Sequence, residues 1–424
     1  MKKVVVLSYY YPPSVFVGGQ RTDYWAKNLS KHGVFPIIIS RKWNSGQKDL
    51  FSTIKNNKLT IVRKENYEIH CLPVKTFLKN RLSSKSYFSL LRKLLTLMQI
   101  LLGRIHITLS PYKDFYKYTE SILVKDSDIN HVIISANPFE MFQIGYLLKK
   151  KYNIKWIPDY RDEWSTHQNN DKRNNSFLKR FLFLIDKKSE LKWTNNSDYF
   201  ISVSETWVKS IKNFINVEGY VVMNGYKSYD LLPDKTKKDT FKIVYAGTIY
   251  DSQPIEIFIE AINKLVSNAQ FSKIKIEVFF VGTEIETLGH QKLIKLTSNK
   301  NHYNIIPRLN EDDLNDEIAE SDLLLLTKFN AVRGWYPVKL FEYYATGKPV
   351  LLVPSDSDVM EDFILKSNCG WVCHDIDSCC MIINKLLRNK TLKKSLIPKH
   401  NHYYAQNFSR ENQTKKLAEI IIQN

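Results

Sequence analysis

The stretch VKLFEYYATGKPV, residues 338–350, reads as a short helix, a glycine stop and the start of a strand. Pro337 suits the first helical position, Gly347 the residue that ends the helix, and Pro349 the opening of the next strand. DLLLLT (322–327) precedes this stretch and KPVLLVP (348–354) completes it. Strand, helix and strand in that order make a βαβ unit, expected in a parallel, doubly wound sheet.

The same alternation extends outward. FKIVYAG (241–247), a helix from Pro254, IKIEVFFVG (274–282), a helix to about Asn299, NIIPRL and a helix from Glu311 lead into the opening unit. The N-terminal half repeats the pattern with KVVVLS (3–8), the helix QRTDYWAKNLSKHG closed by Gly33, and FPIIIS (35–40). After a long interruption it resumes with HVIISANP (131–138), the helix FEMFQIGYLLKKK, IKWIPDY (154–160), a long polar helical region, DYFISVS (198–204) and GYVVMNGY (219–226). The polar, strand-free KSYDLLPDKTKKD (227–239) reads as a connection. The chain of 424 residues is too long for one ordinary core. It reads as two Rossmann-like α/β domains in series, 1–226 and 241–405, with a linker at 227–240 and a closing helix in 406–424. Sheets of this kind take ligands in a crevice at their strand C-termini.

A hydrophobic share of 43% with 25% charged residues is that of a globular chain and excludes bulk disorder. The formal net charge of +19, from 62 Lys+Arg against 43 Asp+Glu, calls for an anionic partner. No RNP-like or zinc-finger signature is present, so phosphorylated substrates and an anionic membrane surface rank above nucleic acid. Four of the five cysteines, Cys369, Cys373, Cys379 and Cys380, crowd near the C-terminus, but with His374 they match no common zinc spacing. Free thiols fit a reducing cytoplasm. The apolar run after Met1 is a first strand rather than a signal peptide, having no small-residue cleavage site. The longest apolar stretch, near Leu94 to Gly103, is shorter than the roughly 20 residues a bilayer span needs.

The interruption at 72–117 differs in kind. It carries nine basic residues (Lys75, Lys79, Arg81, Lys85, Arg92, Lys93, Arg104, Lys113, Lys117) against one acid, Asp114. Phe77, Tyr87, Phe88, Leu94, Leu95, Leu97 and Met98 are interleaved with them. A basic amphipathic helix of this composition can lie in an anionic membrane interface; the plain alternative is a surface helix with a solvated basic face.

Candidate binding residues fall at strand exits. In SYYYPPSVFVGGQRT, Gly18 and Gly19 precede a helix N-terminus, where backbone N–H groups can approach a phosphate. The spacing is not G-x-G-x-x-G, so a nicotinamide dinucleotide is not indicated. Arg21, a cation in the first turn, opposes the helix dipole unless an anion sits nearby. PDYRDEWS places Asp159, Arg161, Asp162 and Glu163 at the end of a strand, and Asn137 leaves the preceding one; an Asp–Arg structural pair is the alternative reading. Lys339 and Glu342 lie three apart near a helix start. The lysine can meet a phosphate and the carboxylate can accept two ribose hydroxyls, unless the two form only a surface ion pair.

Together YYPP…GGQR, PDYRDEW, VSETW, NGY, VYAGTIYDSQP and VKLFEYYATGKPV resemble the retaining glycosyltransferases of family 4, which have the two-domain GT-B fold, through nearly the whole chain. The resemblance is to bacterial members that build envelope polysaccharides. It implies that Glu342 is the second glutamate of a paired-glutamate motif and binds the ribose of a nucleotide sugar. It implies that Gly18 and Gly19 face the donor phosphates and acceptor, and that Arg161 and Asp162 stand near the transferred sugar. The closing helix SRENQTKKLAEIIIQ (409–423) is similar to one that crosses back onto the N-terminal domain. The sequence also departs from the pattern. Gly334 stands where the first glutamate belongs, and Thr248 and Gln253 stand where an arginine and a lysine usually meet the diphosphate. Lys339 or Arg308 is the candidate replacement charge.

D-x-D occurs at Asp126–Asp128 and at Asp356–Asp358; the second precedes a helix, where aspartates serve as caps, so neither is read as a metal site. The expected protein is a cytoplasmic, metal-independent hexosyltransferase, peripheral on the inner face of the plasma membrane and without a cofactor. Its donor is a UDP or GDP sugar held by Lys339, Glu342 and the backbone near Thr346 and Gly347, and its acceptor is a lipid-linked glycan. A nucleotide-sugar 2-epimerase of the same fold and an inert binding partner are the alternatives.

Overall fold

The apolar runs become the central strands of two sheets. The computed structural model describes residues 1–14, 17–43, 58–74, 89–167, 176–267, 274–298 and 300–424. The stretch 75–88, which holds Lys75, Phe77, Lys79, Arg81, Lys85, Tyr87 and Phe88, is outside the described residues. Two compact units result: Met1–Asn224 with Arg410–Asn424, and Gly225–Ser409.

The first unit contains β1 (Lys2–Ser8), α1 (Gln20–Asn28), β2 (Val34–Arg41), β3 (Thr60–Arg63), β4 (Glu68–Leu72), α2 (Ser89–Ile105), α3 (Lys113–Lys125), β5 (Ile129–Ser135), α4 (Phe142–Tyr152), β6 (Lys155–Tyr160), α5 (Phe177–Thr194), β7 (Phe200–Ser202), α6 (Glu205–Ile215) and β8 (Gly219–Val221). Its sheet has the order β3-β4-β2-β1-β5-β6-β7-β8 and is parallel except for the β3–β4 pair. β1 pairs with β2 (Val6 opposite Ile38) and with β5 (Val5 opposite Val132). Val4, Val6, Ile38, Ile133 and Ile157 form one buried face, covered by Trp25 and Ala26 of α1 and by Leu29 just after it.

The second unit contains β9 (Thr240–Ala246), α7 (Glu256–Ser267), β10 (Lys275–Val281), α8 (Thr287–Thr297), β11 (Tyr303–Ile306), α9 (Glu311–Ala319), β12 (Leu323–Leu326), α10 (Val338–Ala345), β13 (Val350–Leu352), α11 (Val359–Ser367), β14 (Gly370–Val372), α12 (Ile376–Thr391) and α13 (His402–Ala405). The last helix, α14 (Arg410–Gln423), belongs to the first unit and places Leu417, Ala418, Ile420 and Ile421 on the Trp25 cluster. The second sheet has the order β11-β10-β9-β12-β13-β14, with every pair parallel. Residues 227–240, read from the sequence as a linker, belong to this unit. There the Leu232 N–H donates to the Thr346 carbonyl at 3.2 Å and the Lys235 N–H to Ala319 at 3.1 Å.

Both sheets share one topological feature. Each first strand, β1 and β9, lies between strands that the chain reaches in opposite directions, so the loops at its C-terminal end part and leave a crevice. Among the described residues no helix is long and apolar enough to cross a membrane.

Candidate functional site

In the first unit the crevice is built by the exits of β1, β5 and β6. A Cβ placed on Gly19 would come within 2.9 Å of Tyr11 Cα, so only glycine lets the start of α1 approach the β1 exit this closely. A Cβ on Gly18 would lie 1.9 Å from Nη1 of Arg161, which means the guanidinium rests directly against the Gly18 backbone. Arg161 Nε donates to the carbonyl of Ala136, and Asn137 Nδ2 donates to Asp162 Oδ2 at 3.3 Å. Burial raises the Tyr10 phenol, and the Arg161 charge pulls it back. Gly18, Asn137, Arg161 and Asp162 are therefore one group, with Arg161 and Asn137 half-buried and Asp162 exposed.

Arg21 and Asp159 sit beneath this group. Arg21 is 4% exposed and Asp159 is 0% exposed, and Nη2 approaches Oδ1 at 2.9 Å. Ser135 Oγ donates to the other carboxylate oxygen at 2.8 Å, and Arg21 lies 4.5 Å from the Trp25 ring centre. Burial lowers Arg21 to about 10, still charged at neutral pH. Burial also raises Asp159, against the pull of Arg21 and Ser135. The anion that Arg21 needs in the first turn of α1 is thus internal. The structural pair forms, and it supports the crevice floor instead of facing a ligand.

Glu163, grouped from the sequence with the exposed charges of its loop, is buried beside Glu190 of α5. Burial raises each carboxyl to about 7, and the Ser165 N–H donates to Glu190 at 2.9 Å. Folded carboxyls that titrate near 7 bind more protons than unfolded ones, so their contribution to stability is lost as pH rises from about 4.5 to 7. Glu163→Gln is expected to flatten that slope in pH-resolved thermal melts and to stabilise the fold by about 2–3 kcal/mol at pH 7.5. An unchanged slope would show that Glu163 does not carry the proton.

In the second unit the exits of β9 and β12 define the crevice. Pro337 is the residue before α10, one position earlier than the sequence places it. From the first turn of this helix Lys339 turns inward, and its Nζ stands 3.8 Å from the centre of the Tyr245 ring. A Cβ on Gly247, whose φ is +105°, would be 3.4 Å from the same nitrogen. The amine is buried and makes no hydrogen bond among the described residues. Burial lowers it to about 7, while Glu342 acts to raise it. Glu342 itself is exposed one turn along. The surface ion pair is therefore not the arrangement; a buried cation faces the crevice with an exposed carboxylate beside it.

The other expected residues are distributed differently. Thr248 is half-buried and its carbonyl accepts from Tyr245 Oη at 2.7 Å, which leaves its hydroxyl at the β9 exit. Gln253 is buried, accepting from Tyr250 N–H at 2.9 Å and donating to the Thr327 carbonyl at 3.3 Å. At the position of the missing cation, an amide ties the two exit loops together. Arg308 is exposed beyond β11, two strands from β9, or about 10 Å across the sheet. Thr346 and Gly347 lie past the other end of α10, about 12 Å along the helix axis from its start. There a Cβ on Gly347 would meet Leu231 at 2.3 Å, so these two residues do not join Lys339. A feature not read from the sequence is the aromatic set at the exits. Tyr250 lies 5.0 Å from Phe329, which packs edge-on at 4.3 Å against Trp335. Spread over 86 residues, these rings carry no local spacing signal.

Asp356 caps α11 through the N–H groups of Met360 (2.9 Å) and Glu361 (3.0 Å), while Asp126 pairs with Lys3 at 2.6 Å. Gly334, with φ +70°, donates its N–H to Asp358 at 2.5 Å. Cys369, Cys373, Cys379 and Cys380 are buried and free, and among the described residues no group of three His, Cys, Asp or Glu is placed to hold a metal. A cavity of about 650 Å³ lies at the opposite end of the second sheet, by the N-termini of its central strands, and is lined by Lys237, Lys238, Lys390, Lys393 and Lys394 together with Asp234 and Asp322. Lys390 stands in the last turn of α12, where a cation complements the helix dipole, and pairs with Asp322 at 2.5 Å.

Residues 231–403 match the family model for glycosyl transferases group 1. No curated protein sequence matches the chain. Among solved structures, a sucrose-phosphate synthase from Thermosynechococcus elongatus superposes with a TM-score of 0.65 at 11% identity, covering 100% of this chain and 99% of that one. WaaG, a glycosyltransferase involved in lipopolysaccharide biosynthesis, gives 0.58 at 14% identity with 99% of each chain covered. A glycosyltransferase from Rickettsia africae gives 0.57 at 16%, covering 100% of this chain and 99% of that one. The two doubly wound sheets are those of the GT-B fold.

Proposed function

We propose that the protein is a glycosyltransferase that moves a sugar from a nucleoside diphosphate sugar to a glycan acceptor. The observation that carries this reading is the Lys339 amine at the β9–β12 crevice, buried and without a hydrogen-bond acceptor among the described residues. A buried amine without an acceptor is costly to charge, the exposed Glu342 carboxylate offsets only part of that cost, and a diphosphate is a ligand that would remove the rest. Glu342, exposed one turn away, accepts the ribose hydroxyls, and the Tyr250, Phe329 and Trp335 rings offer faces to a base or sugar. In the first unit Arg161, Asp162 and Asn137 serve the transferred sugar and the acceptor hydroxyl, and the Gly18–Gly19 backbone admits the acceptor close to Arg161.

In the reaction the bond between the anomeric carbon and the diphosphate breaks, and the acceptor oxygen forms the new glycosidic bond. The hydroxyl proton leaves with the departing phosphate or through a carboxylate. Lys339 and backbone N–H groups neutralise the leaving diphosphate, so the reading includes no metal. Retention of configuration and membership in the family 4 envelope-polysaccharide type belong to this reading through the motif resemblance. So do a UDP or GDP donor and a lipid-linked acceptor at the cytoplasmic membrane face.

Calorimetric titration with UDP, GDP, ADP and CMP in the absence of metal tests the donor site. One nucleotide is expected to bind at micromolar Kd, and Glu342→Ala to weaken it about 10- to 100-fold, the worth of a carboxylate hydrogen-bond pair. Failure of all four to bind the folded protein overturns the proposal.

A further inference from the structure

The region after β6 reads from the sequence as polar, yet α5 turns an apolar stripe to solvent. Phe177 is 88% exposed, and Phe181, Leu184 and Leu191 are exposed as well. At about 100° per residue these four fall within an arc of about 80°, with Ser189, Glu190 and Trp193 on the opposite side. That opposite side is the one the helix buries. Ordinary amphipathic helices bury the apolar stripe and expose the charges; α5 instead leaves Phe177, Phe181 and Leu184 exposed in its first turns and buries only residues of its last turns. Exposed Arg180 and Lys187 flank the stripe on one edge, Lys192 on the other, and Lys188 stands within it. The helix has two acids: Asp186, bound to Arg104 of α2 at 2.7 Å, and the buried Glu190. α2 has a second exposed stripe, Leu91, Leu94, Met98, Leu102 and Ile105.

We infer that the outer face of α5 docks on an anionic lipid bilayer, its phenylalanines and leucines entering the headgroup boundary and its lysines and arginine meeting lipid phosphates. Several features select this occupant. The stripe is basic at both edges, as an interfacial helix requires, and exposed Leu178 widens its apolar face on one side. The whole chain carries +19, which favours an anionic surface. A second copy would bring like charges face to face. This inference rests on the membrane contact in the reading above, adds α5 to α2 as a contact element, and does not depend on the donor site.

Co-sedimentation of the full chain with phosphatidylcholine vesicles, with and without phosphatidylglycerol, tests it. The protein is expected on the mixed vesicles. Phe177→Ser with Phe181→Ser is expected to lower that partition about tenfold or more, and Arg180→Glu with Lys187→Glu to make it indifferent to phosphatidylglycerol. All four side chains are exposed, so circular dichroism and nucleotide titration should be unchanged and would report any loss of fold. Unchanged partition in the phenylalanine variant overturns the assignment, as does loss of partition only on Leu94→Ser with Met98→Ser. Concentration-dependent dimerisation abolished by the phenylalanine variant would assign the face to a second copy and overturn it too.

Discussion

Lys339→Met is expected to raise the melting temperature at pH 7 and to weaken nucleoside diphosphate binding about a hundredfold. The two effects have one cause. Burial brings the amine to about 7, whereas in the unfolded chain it titrates near 10.4. Between those values the unfolded state binds more protons, so this residue's contribution to stability rises with pH, and its cost is full at and below pH 7. A methionine of similar length removes the cost, a gain on the order of 2 kcal/mol once the residue's partial solvent reach is discounted. The loss of binding follows from the same burial, since a phosphate oxygen held beside a desolvated ammonium gains far more than one in water. In the wild type, affinity should fall as pH rises from 7 to 9, because the bound diphosphate requires the protonated amine and binding takes up a proton. Melts and titrations across that range read both slopes, and in the methionine variant both should disappear. An unchanged affinity would remove Lys339 from the site; a lower melting temperature would mean that the amine already has a stabilising partner.

How much of this was legible in the sequence depends on the range of the interaction. The β1, β5, β9 and β12 strands were plain as short apolar runs, because strands buried on both faces need no alternation. β3 and β4, TIVR and EIHCL, were not, since β3 is a largely exposed edge with no reason to be apolar. β14 is only three residues long and half-buried. Lys339 and Glu342 were found because both belong to one helix turn. That the lysine turns inward was not visible, because Tyr245 and Gly247, which receive it, lie more than 90 residues away. Gln253 looked like a lost phosphate ligand, and the structure gives it a different task, closing two loops on one side chain. The outward stripe of α5 was hidden by its lysines, because composition does not say which side of a helix is packed.

Breaking the Arg21–Asp159 pair is expected to cost more stability than any other single change considered. Arg21→Met leaves the Asp159 carboxylate, 0% exposed, with Ser135 as its remaining side-chain donor, and uncompensated buried charges of this kind cost about 3–5 kcal/mol. Without the guanidinium, Asp159 should rise further and take up a proton on mild acidification. A raised carboxyl contributes stability that is lost as pH rises, so the deficit of the variant should shrink as pH falls toward 5 and grow toward 8. Arg21→Met combined with Asp159→Asn should recover most of the loss, because no charge then remains buried, and the double-mutant cycle measures the coupling. The functional consequence runs through the backbone. The Asp159 carbonyl accepts from the Ala136 N–H at 3.1 Å, and the Ala136 carbonyl accepts from Arg161, which lies against Gly18. Arg21 is thus a positioning residue. The double variant should bind nucleotide like the wild type, because the donor group lies in the other unit, yet turn over more slowly, with the loss in kcat and little change in donor KM. A single variant as stable as the wild type at pH 8 would show the pair to be unimportant. Restored stability with fully restored turnover would show that the pair holds the fold without setting the geometry around Arg161.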